Sequence, residues 1–198
     1  MPFEDMGVLR SIPKITLIEP ADTVMLADII TQLAKLHGVY YIRMARKNVT
    51  GIYAQGSSFE IGRGNMVKDG RDVSIIASGI MVAESIKAAD MLREQGISAR
   101  VIDMFTWKPI DEEQVDYCAA TTGAIVTAEN HNIIGGLGSA VAEAVAQMQP
   151  TPIEMVGIKD RFGQVGTEDF LRNEYNLTAQ AVADAAKRAI ARKKAMKR

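Results

Sequence analysis

Three short stretches bring together residue types that can do chemistry. In the first, Glu129-Asn130-His131 follows an apolar run and leads into Asn132-Ile133-Ile134-Gly135-Gly136-Leu137-Gly138. A carboxylate, an amide and an imidazole placed directly after a strand, with glycines opening a helix, can hold an anion on backbone amides or let another backbone approach closely. The order is GGxG rather than GxGxxG, it follows the third strand of its unit, and no acidic residue closes the next strand, so dinucleotide binding is not indicated. His131 has no second His or Cys nearby in sequence to complete a metal or nucleophile set. A general base, a phosphate contact and an interface hydrogen-bonder stay open for it, with the interface role favoured.

The second stretch is Tyr41-Ile42-Arg43-Met44-Ala45-Arg46-Lys47-Asn48. A strand over Val39 to Met44 puts Arg43 on the face opposite Ile42. Arg46 then falls just past the strand end, where a guanidinium can grip a phosphate or carboxylate with two parallel hydrogen bonds. A solvated arginine is the competing reading. The third stretch, Asp160-Arg161-Phe162-Gly163-Gln164-Val165-Gly166-Thr167, sets an aromatic among charges and glycines, as a loop seating the edge of a partner subunit would. Other suggestive groups read as scaffold. Asp111-Glu112-Glu113 suits a helix start, where acidic residues favour the dipole. Trp107, next but one to Pro109, reads as packing, and the single cysteine, Cys118, as a small buried hydrophobe in a helix.

Composition bounds what these groups can serve. The 198 residues are 47% hydrophobic with a formal net charge of −1, enough for one good core and a small second unit and no basis for a polyanion-binding surface. The basic run Arg192 to Arg198 suits a frayed, solvated helix C-terminus. One cysteine excludes an intrachain disulfide and fits a reducing compartment. The N-terminus lacks a basic and then an apolar region, and no apolar run reaches membrane-spanning length. These features point to a soluble cytoplasmic protein.

The elements that must position the candidates alternate regularly. Lys14 to Ile18 predicts a strand. Asp22 or Thr23 caps a helix to about Leu36, with Met25, Leu26, Ile29, Ile30 and Leu33 at helical spacing, and Val39 to Met44 is a second strand. A strand-helix-strand of that size exposes most of its sheet, so it reads as the remnant of a larger domain. About Lys47 to Gly70, with five glycines, reads as a linker. From Val73 onward strands at 73–77, 97–104, 124–128 and 153–158 alternate with helices reaching Gln95, opening at Pro109-Ile110-Asp111, spanning 138–148, and starting at Thr178. The division is residues 1–50, 51–70 and 71–198. The fold class is α/β, a mostly parallel sheet with helices on both faces and right-handed crossovers. Ligands of such sheets bind outside the carboxyl ends of the strands.

Order and spacing then resemble one family. Phe3 to Pro13 followed by Ile15-Thr16-Leu17-Ile18-Glu19-Pro20-Ala21-Asp22 resembles the pyrimidine-binding domain of transketolases and 1-deoxyxylulose-5-phosphate synthases, and Tyr41 to Asn48 resembles its final strand. Asp72 to Gly79, Val101 to Met104, Pro109 to Asp111, Thr127 to His131, Gly135 to Gly138 and Phe162-Gly163 resemble the C-terminal domain of the same family. The resemblance implies a C-terminal section of a transketolase, as a split subunit or fragment, within an enzyme that moves a two-carbon ketol unit between sugar phosphates. Thiamine diphosphate and Mg would be bound mainly by other domains, since the GDG…N motif and the activating glutamate do not occur here. The chain alone would be inactive and no catalytic residue is assigned. It would need an N-terminal transketolase section, with homodimer contacts. The resemblance gives Arg46 the sugar phosphate, with Ala45-Arg46-Lys47 standing where relatives have Ser-Arg-Gln, and leaves His131, Asn130, Gly135 and Gly136 as interface or channel residues. A 1-deoxyxylulose-5-phosphate synthase end, a 2-oxoacid dehydrogenase β subunit and a non-catalytic assembly module are the alternatives.

Overall fold

The structure, a computed structural model, describes residues 2–47 and 49–196. Lys197 and Arg198 of the basic tail lie outside them. A short helix α1 (Asp5–Arg10) leads to β1 (Ile15–Ile18), α2 (Thr23–Leu33) and β2 (Val39–Ile42). β3 (Asn65–Lys68) and β4 (Val73–Ala77) follow, then α3 (Met81–Glu94), β5 (Ala99–Asp103), β6 (Thr106–Lys108) and α4 (Glu112–Thr122). β7 (Ile125–Asn132), α5 (Leu137–Gln147), β8 (Ile153–Ile158), α6 (Glu168–Glu174) and α7 (Ala179–Met196) complete the chain.

Five strands form one sheet in the order β3-β5-β4-β7-β8, parallel except for the edge strand β3. Every residue of β4 is buried, as expected for a central parallel strand covered on both faces. Alternation decides which face each side chain serves. Val73, Ile75 and Ala77 pack with α3 and α7, through Val82, Leu92, Val182 and Ala186. Ile76 and Ile102 point the other way, into Val115 and Cys118 of α4 and Val141 of α5. Cys118 is accordingly a buried hydrophobe.

A second sheet has three strands, β2-β1-β6, with β1 parallel to β2 and antiparallel to β6. Its third strand comes from residues far along the chain, so this sheet shares a core with the large one: Leu17 and Met6 meet Trp107, Ile76 and Ile102 in a single cluster. Four short elements are absent from the periodicity of the sequence: α1, β6, α6, and β3, which lies within the glycine-bearing stretch 51–70 read as a linker. That stretch is also fixed to α2. The Asp22 side chain caps α2 by accepting from the Met25 amide at 2.9 Å, and its other oxygen accepts from the Ile52 and Tyr53 amides. Asp28 accepts from the Phe59 amide at 2.9 Å.

Ile76 sits at the centre of the shared cluster with no exposure. Ile76→Ala is expected to lower the unfolding free energy by about 3 kcal/mol, a core truncation cost, measured by urea titration with the fluorescence of Trp107, the one tryptophan. A loss below about 1 kcal/mol, the range of a mild volume change, would contradict this account of the core.

Candidate functional site

The parallel strands of both sheets end on one side of the molecule, around a cleft of about 790 Å³. Glu19 and Pro20 follow β1, Arg43 to Lys47 follow β2, Gly79 and Ile80 follow β4, Asn130 lies in β7, and Gly163 to Gly166 lie in the loop beyond β8. In the five-stranded sheet the chain runs from β4 to one side and from β7 to the other, so the cleft opens at the topological switch point, where α/β sheets take ligands. Its floor is apolar, with Phe3, Ile80, Leu171, Tyr175 and Leu177; its mouth carries Arg46, Lys47 and Arg172. Arg172 is already paired, with Glu168 at 2.6 Å and Glu84 at 3.3 Å. Arg46 and Lys47 are exposed, and neither has an ion-pair partner among the described residues.

Beneath this mouth lies a buried polar network that sequence patterning did not reveal. β2 stops at Ile42, two residues before the expected end, and Arg43 turns inward with 3% exposure. Its Nη1 donates to a carboxylate oxygen of Glu19 and, at 2.7 Å, to Oδ1 of Asn130. Its Nη2 donates to the carbonyl oxygens of Pro2 and Asn130, both at 3.2 Å, and Nε lies 3.3 Å from Asp5 Oδ1. Burial disfavours the guanidinium charge, but Glu19 and Asp5 hold it above its ordinary range. Ser78 donates to the other Glu19 oxygen at 2.7 Å, and the Tyr41 hydroxyl donates to Asp5 at 2.7 Å. Gly79 (φ +52°) lets this happen, since a β-carbon there would lie 2.7 Å from the Glu19 carboxyl carbon.

The glycine turn serves groups inside the chain. The Leu137 and Gly138 amides at the start of α5 each donate at 2.8 Å to a carboxyl oxygen of Glu129. A β-carbon on Gly136 would stand 2.0 Å from a Glu129 oxygen, so glycine is required there. The close backbone approach is between Gly135 and Gly7 of α1, and Arg10 donates to the Gly135 carbonyl at 2.9 Å. His131 is fully buried. Its Nε2 accepts from the Gly7 amide at 3.2 Å, which makes Nδ1 the protonated nitrogen donating to the Asn132 carbonyl at 2.7 Å. Burial holds its pKa below the usual histidine range. The structure therefore places Arg46 and Asn130 on one cleft, and places His131, Gly135 and Gly136 behind it, where α1 docks on β7 and α5. The Asp160 to Thr167 loop borders the cleft, with Phe162 and Val165 nearly wholly exposed.

Two variants test the network. Arg43→Met leaves Glu19 and Asp5 without their cation, and is expected to cost about 3–5 kcal/mol in urea unfolding, the penalty for breaking a buried pair; a cost near zero would show that the charges are solvated. Burial pushes the Glu129 carboxyl up to about 8, against the pull of the two helix amides, and pushes Asp103 to about 8 as well. Between the ordinary carboxylate range and pH 8 the folded chain then holds protons that the unfolded chain has lost, so stability falls as pH rises. Glu129→Gln, which cannot ionise, is expected to be less stable at pH 5 but to show a shallower decline to pH 8. Parallel profiles for the two proteins would count against the raised Glu129 value.

Residues 62–182 match the family model described as Transketolase, C-terminal domain. The chain is 42% identical over 193 residues, 98% of its length, to a 6-deoxy-6-sulfo-D-fructose transketolase subunit of Clostridium sp. (strain MSTE9), and spans 60% of that relative. It is 35% identical to a 1-deoxy-D-xylulose-5-phosphate synthase of Heliobacterium modesticaldum, over 92% of the chain and 29% of the relative. Among solved structures, one described as a split gene transketolase, inactive beta4 tetramer, superposes with a TM-score of 0.94 at 42% identity, covering 96% of this chain and 63% of the other. With the family's domain covering more than half of the chain and the same fold at high identity, the chain belongs to the transketolase family and contains its C-terminal domain.

Proposed function

We propose that this chain is the C-terminal component of a transketolase, working with a partner section that supplies the remaining domains, in an enzyme that transfers a two-carbon ketol unit between sugars bearing a terminal anion. The observation that carries this reading is Arg46, an exposed guanidinium without an ion-pair partner among the described residues at the mouth of a preformed cleft. A guanidinium binds phosphate bidentately and takes other tetrahedral oxyanions by the same geometry, which suits sugar phosphates and also the sulfonated sugar named for the Clostridium relative. Thiamine diphosphate would supply the acyl-anion chemistry. Among the described residues no group of three His, Cys, Asp or Glu is arranged to hold a metal ion, so this reading assigns the cofactor and its metal to the partner section and gives this chain the substrate's anionic end. The division into a pyrimidine-domain remnant over 1–50, a connecting stretch over 51–70 and the C-terminal domain over 71–198 belongs to the same proposal, as do a dimeric assembly and a cytoplasmic location.

The second reading, a 1-deoxyxylulose-5-phosphate synthase end, is favoured by the Heliobacterium relative. Ketol transfer between sugar phosphates, against condensation using pyruvate, separates the two in an assay of the assembled enzyme. A 2-oxoacid dehydrogenase β subunit would instead process a branched 2-oxoacid, and an assembly module would leave every one of these reactions unsupported. Arg46→Ala is expected to raise the apparent KM for the phosphorylated sugar at least tenfold, as for loss of a charged hydrogen-bonding group, with the unfolding midpoint unchanged because the side chain is exposed. An unaltered KM would remove Arg46 from the site.

A further inference from the structure

Asn130 is built to present a donor to the cleft. Arg43 has five N–H donors and no acceptor, so the Asn130 side-chain atom 2.7 Å from its Nη1 must be the amide oxygen. A second bond, from Nη2 to the Asn130 carbonyl at 3.2 Å, holds the backbone of the same residue. Arg43 is itself fixed by Glu19 and Asp5. The amide orientation of Asn130 is thus set from inside the protein, and its NH2 group points the other way. That nitrogen has no hydrogen-bond partner among the described residues and is not one of the sealed atoms left unpartnered, and Asn130 lines the cleft that Arg46 and Lys47 also line.

We propose that the Asn130 amide nitrogen is a second anchor of the anion subsite, donating a neutral hydrogen bond to the tetrahedral oxyanion that Arg46 holds by charge, with Arg43 as the positioning residue. This rests on the proposed role of Arg46 and adds to it a donor of fixed direction. Two cations alone would attract any anion. A directed N–H donor lining the same cleft selects an anion with an oxygen available to it, which a phosphate or sulfonate offers and a halide does not.

The test uses inorganic phosphate on the chain itself. The Asn130 side-chain amide signal in a ¹⁵N spectrum is expected to shift on titration, saturating together with the binding curve. Asn130→Asp keeps the acceptor that Arg43 requires and removes the donor. It is expected to weaken phosphate binding by tenfold or more, as for lost hydrogen bonds to charged groups. Asn130→Ser, which retains a donor without adding charge, is expected to lose less. If the amide signal does not move while Arg46→Ala abolishes binding, Asn130 is overturned and the Arg46 reading stands. If Asn130→Asp weakens binding and Arg46→Ala does not, the Arg46 reading falls instead. Indifference to both variants sinks both.

Discussion

A single buried guanidinium holds the two sheets in register. Arg43 stands at the end of β2 in the small sheet, yet Asn130, one of its partners, belongs to β7 of the large one. Stripping water from an arginine is costly, and the cost is offset only if nearly every donor is met and opposite charge lies alongside. Glu19 and Asp5 supply the charge; the carbonyls of Pro2 and Asn130 and the Asn130 amide oxygen supply the remaining acceptors. The acceptors come from the segment that opens α1, from the end of β1 and from β7, so the charge is satisfied in one arrangement of α1, β1, β2 and β7. Apolar packing of Leu17 and Trp107 drives the sheets together, but apolar contacts alone tolerate sliding, and the guanidinium fork does not.

The same logic explains why the polar groups that looked most reactive are structural. Glu129 is consumed by the helix amides of α5, and His131 by the Gly7 amide and the Asn132 carbonyl. Their bonding capacity is directed to backbone groups that would otherwise be orphaned in the interior. What is left for a ligand is at the rim: Arg46 and Lys47, without ion-pair partners among the described residues, and one face of Asn130.

Apart from β6, the strands and helices of residues 73–158 could be read from the sequence because each depends on local period, and a β4 that is apolar but for Ser74 or an amphipathic α3 advertises itself. Helix starts at Asp22 and Asp111 were readable for the same reason, since a cap is a contact three residues long. The position of Arg46 beyond a strand end was readable too, as an exposed residue in a place with known geometry. Arg43 was not, because its meaning depends on acids 24 residues away at Glu19 and in α1, and on Asn130, 87 residues away. Two-residue alternation assigned it only to a face. β6 was missed because three residues carry too few side chains to show a period, and β3 because Asn65-Met66-Val67-Lys68 lacks the β-branched run that marks β1; β6 is a strand mainly because β1 offers it an edge.

That borrowed edge limits how a protein of this architecture can be divided between genes. β6, at residues 106–108, completes the sheet that β1 begins at residue 15. A breakpoint anywhere between Ile42 and Thr106 would distribute one sheet over two polypeptides, leaving each with open backbone hydrogen bonds and half of the shared core until they met.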